Sequence, residues 1–300
     1  MRRVAPVDLM LLATVLIWAL NSTASRYILT HSVHPLGYAA TRYLAAILLF
    51  LGFTWWRERS FRVARRDVPL VVLAGLLIFL NQLTFVYAVQ KTSASTIGLM
   101  LGTVPIYAAI IATVVGLERP GRIFWFAAAV SFVGTGLIAA GAGVGVSGNL
   151  VGDLLAVGTA VTWAAYSVTN APLISRYSPF RISSLVLPVG WLPLALVSIP
   201  QLESQQVSGL PWLVWLAFAF AIVGPLFLTN LTWFTAIGRV GLSRATLFSN
   251  LQPFFSVLFA VLLLSERLDG WEIAGGVAIM LGIFIERFGA RVSAFVVAGE

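Results

Sequence analysis

Cysteine is absent from this 300-residue chain, which excludes disulfides and thiolate-bound metals or clusters and leaves the redox compartment open. Charge is nearly as scarce: 10% of residues are charged and 59% are hydrophobic, too little polar surface to cover a soluble fold of this length. No acidic residue falls midway along an apolar run, because Asp8, Glu118, Asp153 and Glu266 stand at run ends. A proton-coupled exchanger ordinarily carries a buried titratable group, so coupling through a membrane carboxylate is not expected. The histidines, His31 and His34, share one link, so no histidine follows to serve a serine nucleophile. Long polar segments are missing too, and the longest link on the basic side, around Arg57 to Asp67, is a short connector.

What the chain does have is apolar runs of about 20 residues, each able to cross roughly 30 Å of hydrocarbon as a helix. They fall near 8–28, 36–56, 68–90, 94–117, 123–142, 151–171, 183–200, 211–236, 242–264 and 271–288. The runs are continuously apolar, without the in-out alternation of a membrane β-barrel. The expectation is an all-α integral membrane protein with ten transmembrane helices. The first run, behind Met-Arg-Arg, is too long for a cleaved signal peptide and is expected to remain as a helix.

The net charge of +8 does not point to nucleic acid, because it is sorted by side. Arg2, Arg3, Arg57, Arg59, Arg62, Arg65, Arg66, Arg119, Arg122, Arg176, Arg181, Arg239, Arg244, Arg287 and Arg291 fall on one side, whereas Arg26, Lys91 and Arg267 fall on the other. That bias places both termini in the cytoplasm. Trp55, Trp56, Trp125, Trp212 and Trp271 sit at run ends, where an indole is half wet and half apolar.

A pattern also recurs. Ala88, Pro105, Glu118-Arg119 and Gly134 return as Ala236, Pro253, Glu266-Arg267 and Gly282, at an offset of 148 (253 − 105 = 148). Asp8, Trp18, Ala19 and Ser22 return as Asp153, Trp163, Ala164 and Ser167, at an offset of 145 (163 − 18 = 145). Residues 1–145 and 146–300 therefore read as two copies of one five-helix unit. An odd number of crossings turns the second copy over, the inverted-repeat arrangement of many secondary transporters.

Polar groups at membrane depth need a partner or water. Asn21, Asn81, Gln82, Asn230, Asn250 and Gln252 all lie in apolar runs, alongside Trp18, Trp163, Tyr107 and Tyr166. Interhelical glue explains any one amide; the set suits a chamber for a small amphiphilic solute. Trp18, Trp163 and Tyr166 would pack its apolar part, and Asn21, Asn81, Gln82, Asn250 and Gln252 would bond its polar end. Arg42 is the one ionised residue well inside a run, able to hold a substrate carboxylate or to snorkel outward. Pro105 and Pro253 match across the repeat and are read as kinks with hinge capacity, freeing the carbonyls of Leu101 and Ser249.

Several spellings carry no chemistry. Gly143-Val-Gly-Val-Ser-Gly148 has dinucleotide-loop spacing but follows no strand; it reads as the connector between the halves. Asn21-Ser-Thr and Asn230-Leu-Thr are buried in apolar runs, out of reach of glycosylation. No nucleophile and base pair supports an enzyme, and no metal or cofactor is expected.

The segment Ala94-Ser-Thr-Ile-Gly-Leu-Met-Leu-Gly-Thr-Val-Pro105, leading to Leu117-Glu-Arg119 and Gly134, has its echo from Ala245 through Pro253 to Ser265-Glu-Arg267 and Gly282. Together they resemble the hallmark of the EamA family of the drug/metabolite transporter superfamily, with the Trp18–Asn21 and Pro35–Arg42 regions matching as well. The resemblance implies a ten-helix inverted-repeat carrier exporting amino acids or other metabolites. It also implies a path enclosed by helices one to four and six to nine, with the fifth and tenth outside. The second half departs from strict symmetry, since Val186 stands where Arg42 would recur, counted from Pro179 as Arg42 is from Pro35. The expected partners are a small-molecule substrate and the lipid bilayer. The expected activity is alternating-access export of neutral or zwitterionic metabolites, including aromatic amino acids, with a broad drug exporter or a non-transporting sensor as the alternatives.

Overall fold

The computed structural model of the protein describes residues 6–91, 97, 100–141, 150–264 and 270–297. Within them the chain is helical, with no strand. The helices are α1 (Pro6–Thr30), α2 (Pro35–Glu58), α3 (Val68–Lys91), α4 (Val104–Val114), α5 (Arg122–Gly141), α6 (Leu150–Ile174) and α7 (Pro179–Glu203). They continue with α8 (Trp212–Ile222), which runs through a π-helical turn (Val223–Leu228) into α9 (Thr229–Val240), then α10 (Leu242–Phe248), α11 (Leu251–Leu264) and α12 (Gly270–Val297). Six of these stretches are long and apolar enough to cross a membrane: α1, α2, Arg65–Ala88, α6, α7 and Trp212–Val240. Of the remaining apolar runs, 94–117 and 242–264 are interrupted at 102–103 and 249–250, and 123–142 and 271–288 lie in α5 and α12; the connector at 143–148 and the Glu266-Arg267 echo lie outside the described residues.

Helices prevail because hydrocarbon offers a backbone no hydrogen bonds, so each segment satisfies its own. The outward faces agree with that solvent: Leu48, Leu192, Leu196, Trp215, Leu216 and Phe284 are all more than half exposed. Lipid gives apolar helices no hydrophobic reason to associate, so their contacts depend on small residues and polar pairs. A Cβ on Gly190 would lie 2.5 Å from the carbonyl of Gly75, and this bare crossing joins α7 to α3.

The two repeats meet as a pseudo-two-fold pair. A Cβ on Gly134 of α5 would lie 2.6 Å from the Gly275 carbonyl and 2.9 Å from the Ile279 nitrogen of α12. Its repeat mate Gly282 faces the Ala127 carbonyl and Ser131 in turn. As α5 advances from 127 to 134 its contacts on α12 recede from 282 to 275, so these equivalent helices run antiparallel. Threonines repeat the relation. Thr14 meets Thr232 at 2.5 Å between hydroxyl oxygens, and their mates Thr159 and Thr84 (159 − 14 = 145; 232 − 84 = 148) meet at 3.1 Å. In each pair the α1 or α6 threonine also donates to the carbonyl four residues back, Met10 for Thr14 and Leu155 for Thr159. Pairing α5 with α12 leaves α1, α6 and α9 around the centre.

The α5–α12 crossing yields a direct expectation. Gly134→Leu has nowhere to put its side chain, and overpacking of this kind costs about 1–3 kcal/mol; thermal unfolding in detergent should move down by several degrees. Gly52→Leu, where nothing lies within 4 Å of an added Cβ, should leave the transition in place.

Candidate solute site

Trp18 on α1 and Trp163 on α6, mates in the repeat, touch each other edge-on with ring centroids 5.6 Å apart. A residue in contact with its own mate marks the axis, so the aromatic pair sits where the two halves meet. Trp18 donates its indole N–H to Thr229 Oγ1 at 2.9 Å, which fixes the ring plane, and packs on Trp233 at 5.1 Å. Trp163 packs on Tyr166 at 5.5 Å, and Tyr166 on Phe234 at 6.2 Å. The three expected aromatics thus converge, and α9 adds Trp233 and Phe234, which sequence reasoning missed. The signal was present: Trp233 stands 148 positions after Phe85 (233 − 85 = 148), three residues beyond Asn230 on the same helix. The Tyr166 hydroxyl and the Trp233 indole nitrogen are buried without a hydrogen-bond partner, a state that costs about 1–3 kcal/mol per group and suits a site that receives a polar guest.

The amides divide. Arg42 donates from one terminal nitrogen to Gln82 Oε1 at 3.0 Å, Gln82 donates to Asn81 Oδ1 at 3.1 Å, and Asn81 donates to the Thr159 carbonyl at 2.9 Å and to Thr162 Oγ1 at 3.3 Å. This relay joins α2, α3 and α6 one turn from Trp163. Asn21 lies beside it, accepting from Ser25 at 3.4 Å, and with Ser25, Tyr38, Arg42, Phe85 and Val86 it lines a hollow of about 60 Å³. Asn250 is elsewhere, in the turn between α10 and α11, buried with neither side-chain polar atom bonded. Gln252 is half-buried just beyond it.

The matched prolines stand in the first turns of new helices. Pro105 enters α4 behind the Gly102–Thr103 turn and Pro253 enters α11 behind Ser249–Asn250, where proline has no missing bond to regret. The Ser249 carbonyl, expected to be free, accepts from the Gln252 nitrogen at 2.9 Å. The chain is therefore interrupted, not merely bent, at equivalent places in the two halves.

The two ends of the bundle are held differently. At the end bearing the start of α1, Glu118 accepts from Leu242 N at 2.6 Å, Ser243 N at 3.0 Å and Ser243 Oγ at 2.5 Å, a carboxylate on a helix N-terminus. Gly241, at φ +83°, brings the backbone close enough for this. Arg244 bridges Asp8 at 3.1 Å and Glu286 at 3.8 Å; Glu58 pairs with Arg181 at 2.6 Å and Asp67 with Arg176. A surface cleft of about 630 Å³ opens there beside Glu118, Arg119 and Arg122; its acids are already engaged, so it is a groove between links and not the solute chamber. At the opposite end, among the described residues, Gln205 and Gln201 each accept a backbone N–H at 2.7 Å, from His34 and Leu36.

Antiparallel repeat mates, helices broken at matched prolines and aromatic residues on the axis define a membrane carrier of the secondary-transporter kind. A solved crystal structure superimposes with a TM-score of 0.82 at 20% identity, covering 96% of this chain and 99% of the other, and so shares the fold. The EamA-like transporter family model matches residues 5–140 and 150–286, and the chain belongs to that family. Similar proteins include two named "Probable amino-acid metabolite efflux pump". The one from Salmonella typhimurium is 27% identical, with 94% of each chain covered, and the one from Escherichia coli is 26% identical, covering 93% of this chain and 94% of its own. The uncharacterized transporter YyaM of Bacillus subtilis is 26% identical, over 80% of this chain and 79% of its own.

The bond that orients Trp18 can be tested alone. Trp18→Phe and Thr229→Val should each cost about 1 kcal/mol in unfolding free energy, and the double variant no more than either single one. Additive losses across this cycle would show that the two side chains act independently.

Proposed function

We propose that the protein is an alternating-access carrier exporting small neutral or zwitterionic metabolites, amino acids including aromatic ones, across a bacterial inner membrane. Residues 1–145 and 146–300 form its inverted five-helix repeats, ten transmembrane helices in all, with both termini in the cytoplasm. It works without a chemical step, cofactor or metal. The observation that carries this reading is the contact of Trp18 with Trp163 at 5.6 Å, which puts an aromatic platform on the line about which two mirror-opposed halves would rock.

Trp18, Trp163 and Tyr166 pack the cargo's side chain in this account, and the unpartnered hydroxyl of Tyr166 and amide of Asn250 meet its polar end, with Gln252 close by. The breaks ahead of Pro105 and Pro253 serve as hinges, because an interrupted helix changes direction without breaking further backbone bonds. The names of the Salmonella and Escherichia relatives support amino acids as the cargo class. The absence of an acid midway along any apolar run supports transport down the solute's own gradient.

Purified protein in liposomes loaded with unlabelled phenylalanine should accumulate labelled phenylalanine by counterflow without an imposed proton gradient. Trp163→Ala should cut that rate about 10-fold, the equivalent of ~1.4 kcal/mol and within reach of one lost aromatic contact plus its burial. Stoichiometric binding without turnover would mark a sensor, and strict need of a proton gradient would end the uncoupled version.

A further inference from the structure

Arg42 is only 8% exposed, and among the described residues it forms no ion pair. One terminal nitrogen reaches Gln82 Oε1 at 3.0 Å, the other reaches the Tyr38 hydroxyl at a long 3.5 Å, and Nε is buried with no partner. The rings of Tyr38 and Tyr43 lie 4.8 and 5.7 Å from the guanidinium carbon. Aromatic faces soften the loss of water but supply no anion, and a desolvated cation without one is unstable. The hollow of about 60 Å³ beside it carries the hydroxyls of Ser25 and Tyr38 and the amide of Asn21, with Phe85 and Val86 as its apolar side. That space fits an anionic head group and is too small for an aromatic ring as well.

Resting on the transport reading above, we propose that Arg42 is the receptor for the cargo's carboxylate, and that Gln82 and Asn81 are positioning residues, not ligands. Arginine only donates, so Gln82 must turn its oxygen to Arg42. Its nitrogen then goes to Asn81 Oδ1, and both donors of Asn81 go to Thr159 and Thr162. The relay is spent on aiming the guanidinium and tying it to α6, the helix of Trp163. Carboxylate and arginine pair through charge-assisted hydrogen bonds, for which the unbonded Nε remains available. Val186, at the equivalent place in the second repeat, is apolar and fully buried, so each chain takes one carboxylate, and amines lacking it are poor cargo.

The test is thermal unfolding of the purified protein with phenylalanine, phenylacetate or phenethylamine at constant chloride, together with a chloride titration. Both carboxylates should raise Tm and phenethylamine should not. Arg42→Gln should keep or raise the ligand-free Tm, since it removes an unpaired buried charge, and should weaken carboxylate binding at least 10-fold. Gln82→Glu supplies an internal carboxylate at the same place; it should raise the ligand-free Tm and weaken external carboxylates to a similar degree. Stabilisation that follows chloride alone would overturn the proposal, as would undiminished phenylacetate binding in Gln82→Glu, which decides the matter if Arg42→Gln fails to fold. Because phenylacetate binding needs no turnover, Arg42-dependent binding in a protein that transports nothing would uphold the receptor and refute the carrier. Undiminished counterflow in both variants would do the reverse.

Discussion

Two copies of one helical pattern, opposed in direction and pressed together in lipid, must make each interface contact twice with the roles exchanged. Lipid supplies no hydrophobic force between helices, so each contact has to be earned by close approach or a hydrogen bond. Gly134 of α5 against α12 and Gly282 of α12 against α5 are such a pair, and the threonine pairs at 14 and 232 and at 84 and 159 are another. Near the axis a residue can meet its own mate, and Trp18 and Trp163 do so. The placement of the aromatic cluster, the breaks before the matched prolines and the pairing of α5 with α12 all follow from that geometry.

Function depends on where the symmetry fails. Among the described residues, charged pairs bind the helices at the end that carries Asp8, Glu118 and Glu286, and amides of Gln201 and Gln205 join the far end. Arg42 stands where the second repeat has Val186, and the halves differ there. As the proposed carboxylate receptor, it would give the doubled framework one polar pole.

Much of this was legible in the letters. The apolar runs gave the class, the offsets of 148 and 145 gave the mates, and Trp18, Trp163, Tyr166 and Arg42 were singled out before any contact was known. What escaped depends on helix rotation, which apolar spacing in lipid records poorly because outward faces and inner faces are both greasy. Trp233 was therefore lost among its neighbours, and Thr229 and the threonine pairs passed for ordinary mid-run residues. Asp8 ends a run, and nothing in the sequence shows that it is only 4% exposed. Asn81 and Gln82 were expected to bond the cargo's polar end, and the sequence does not record the bonds they make to Arg42, Thr159 and Thr162. The prolines were found, but the turn ahead of each changes a bend into a break.

The claim on which the rest depends is that the second repeat is turned over in the membrane. Arg62 and Gln206 occupy matching links after α2 and α7 (206 − 62 = 179 − 35 = 144), and a chain without cysteine gives each single-cysteine variant a silent background. In intact cells a membrane-impermeant maleimide should label Gln206→Cys at once and Arg62→Cys only after permeabilisation. Labelling of both from the same face would contradict the account.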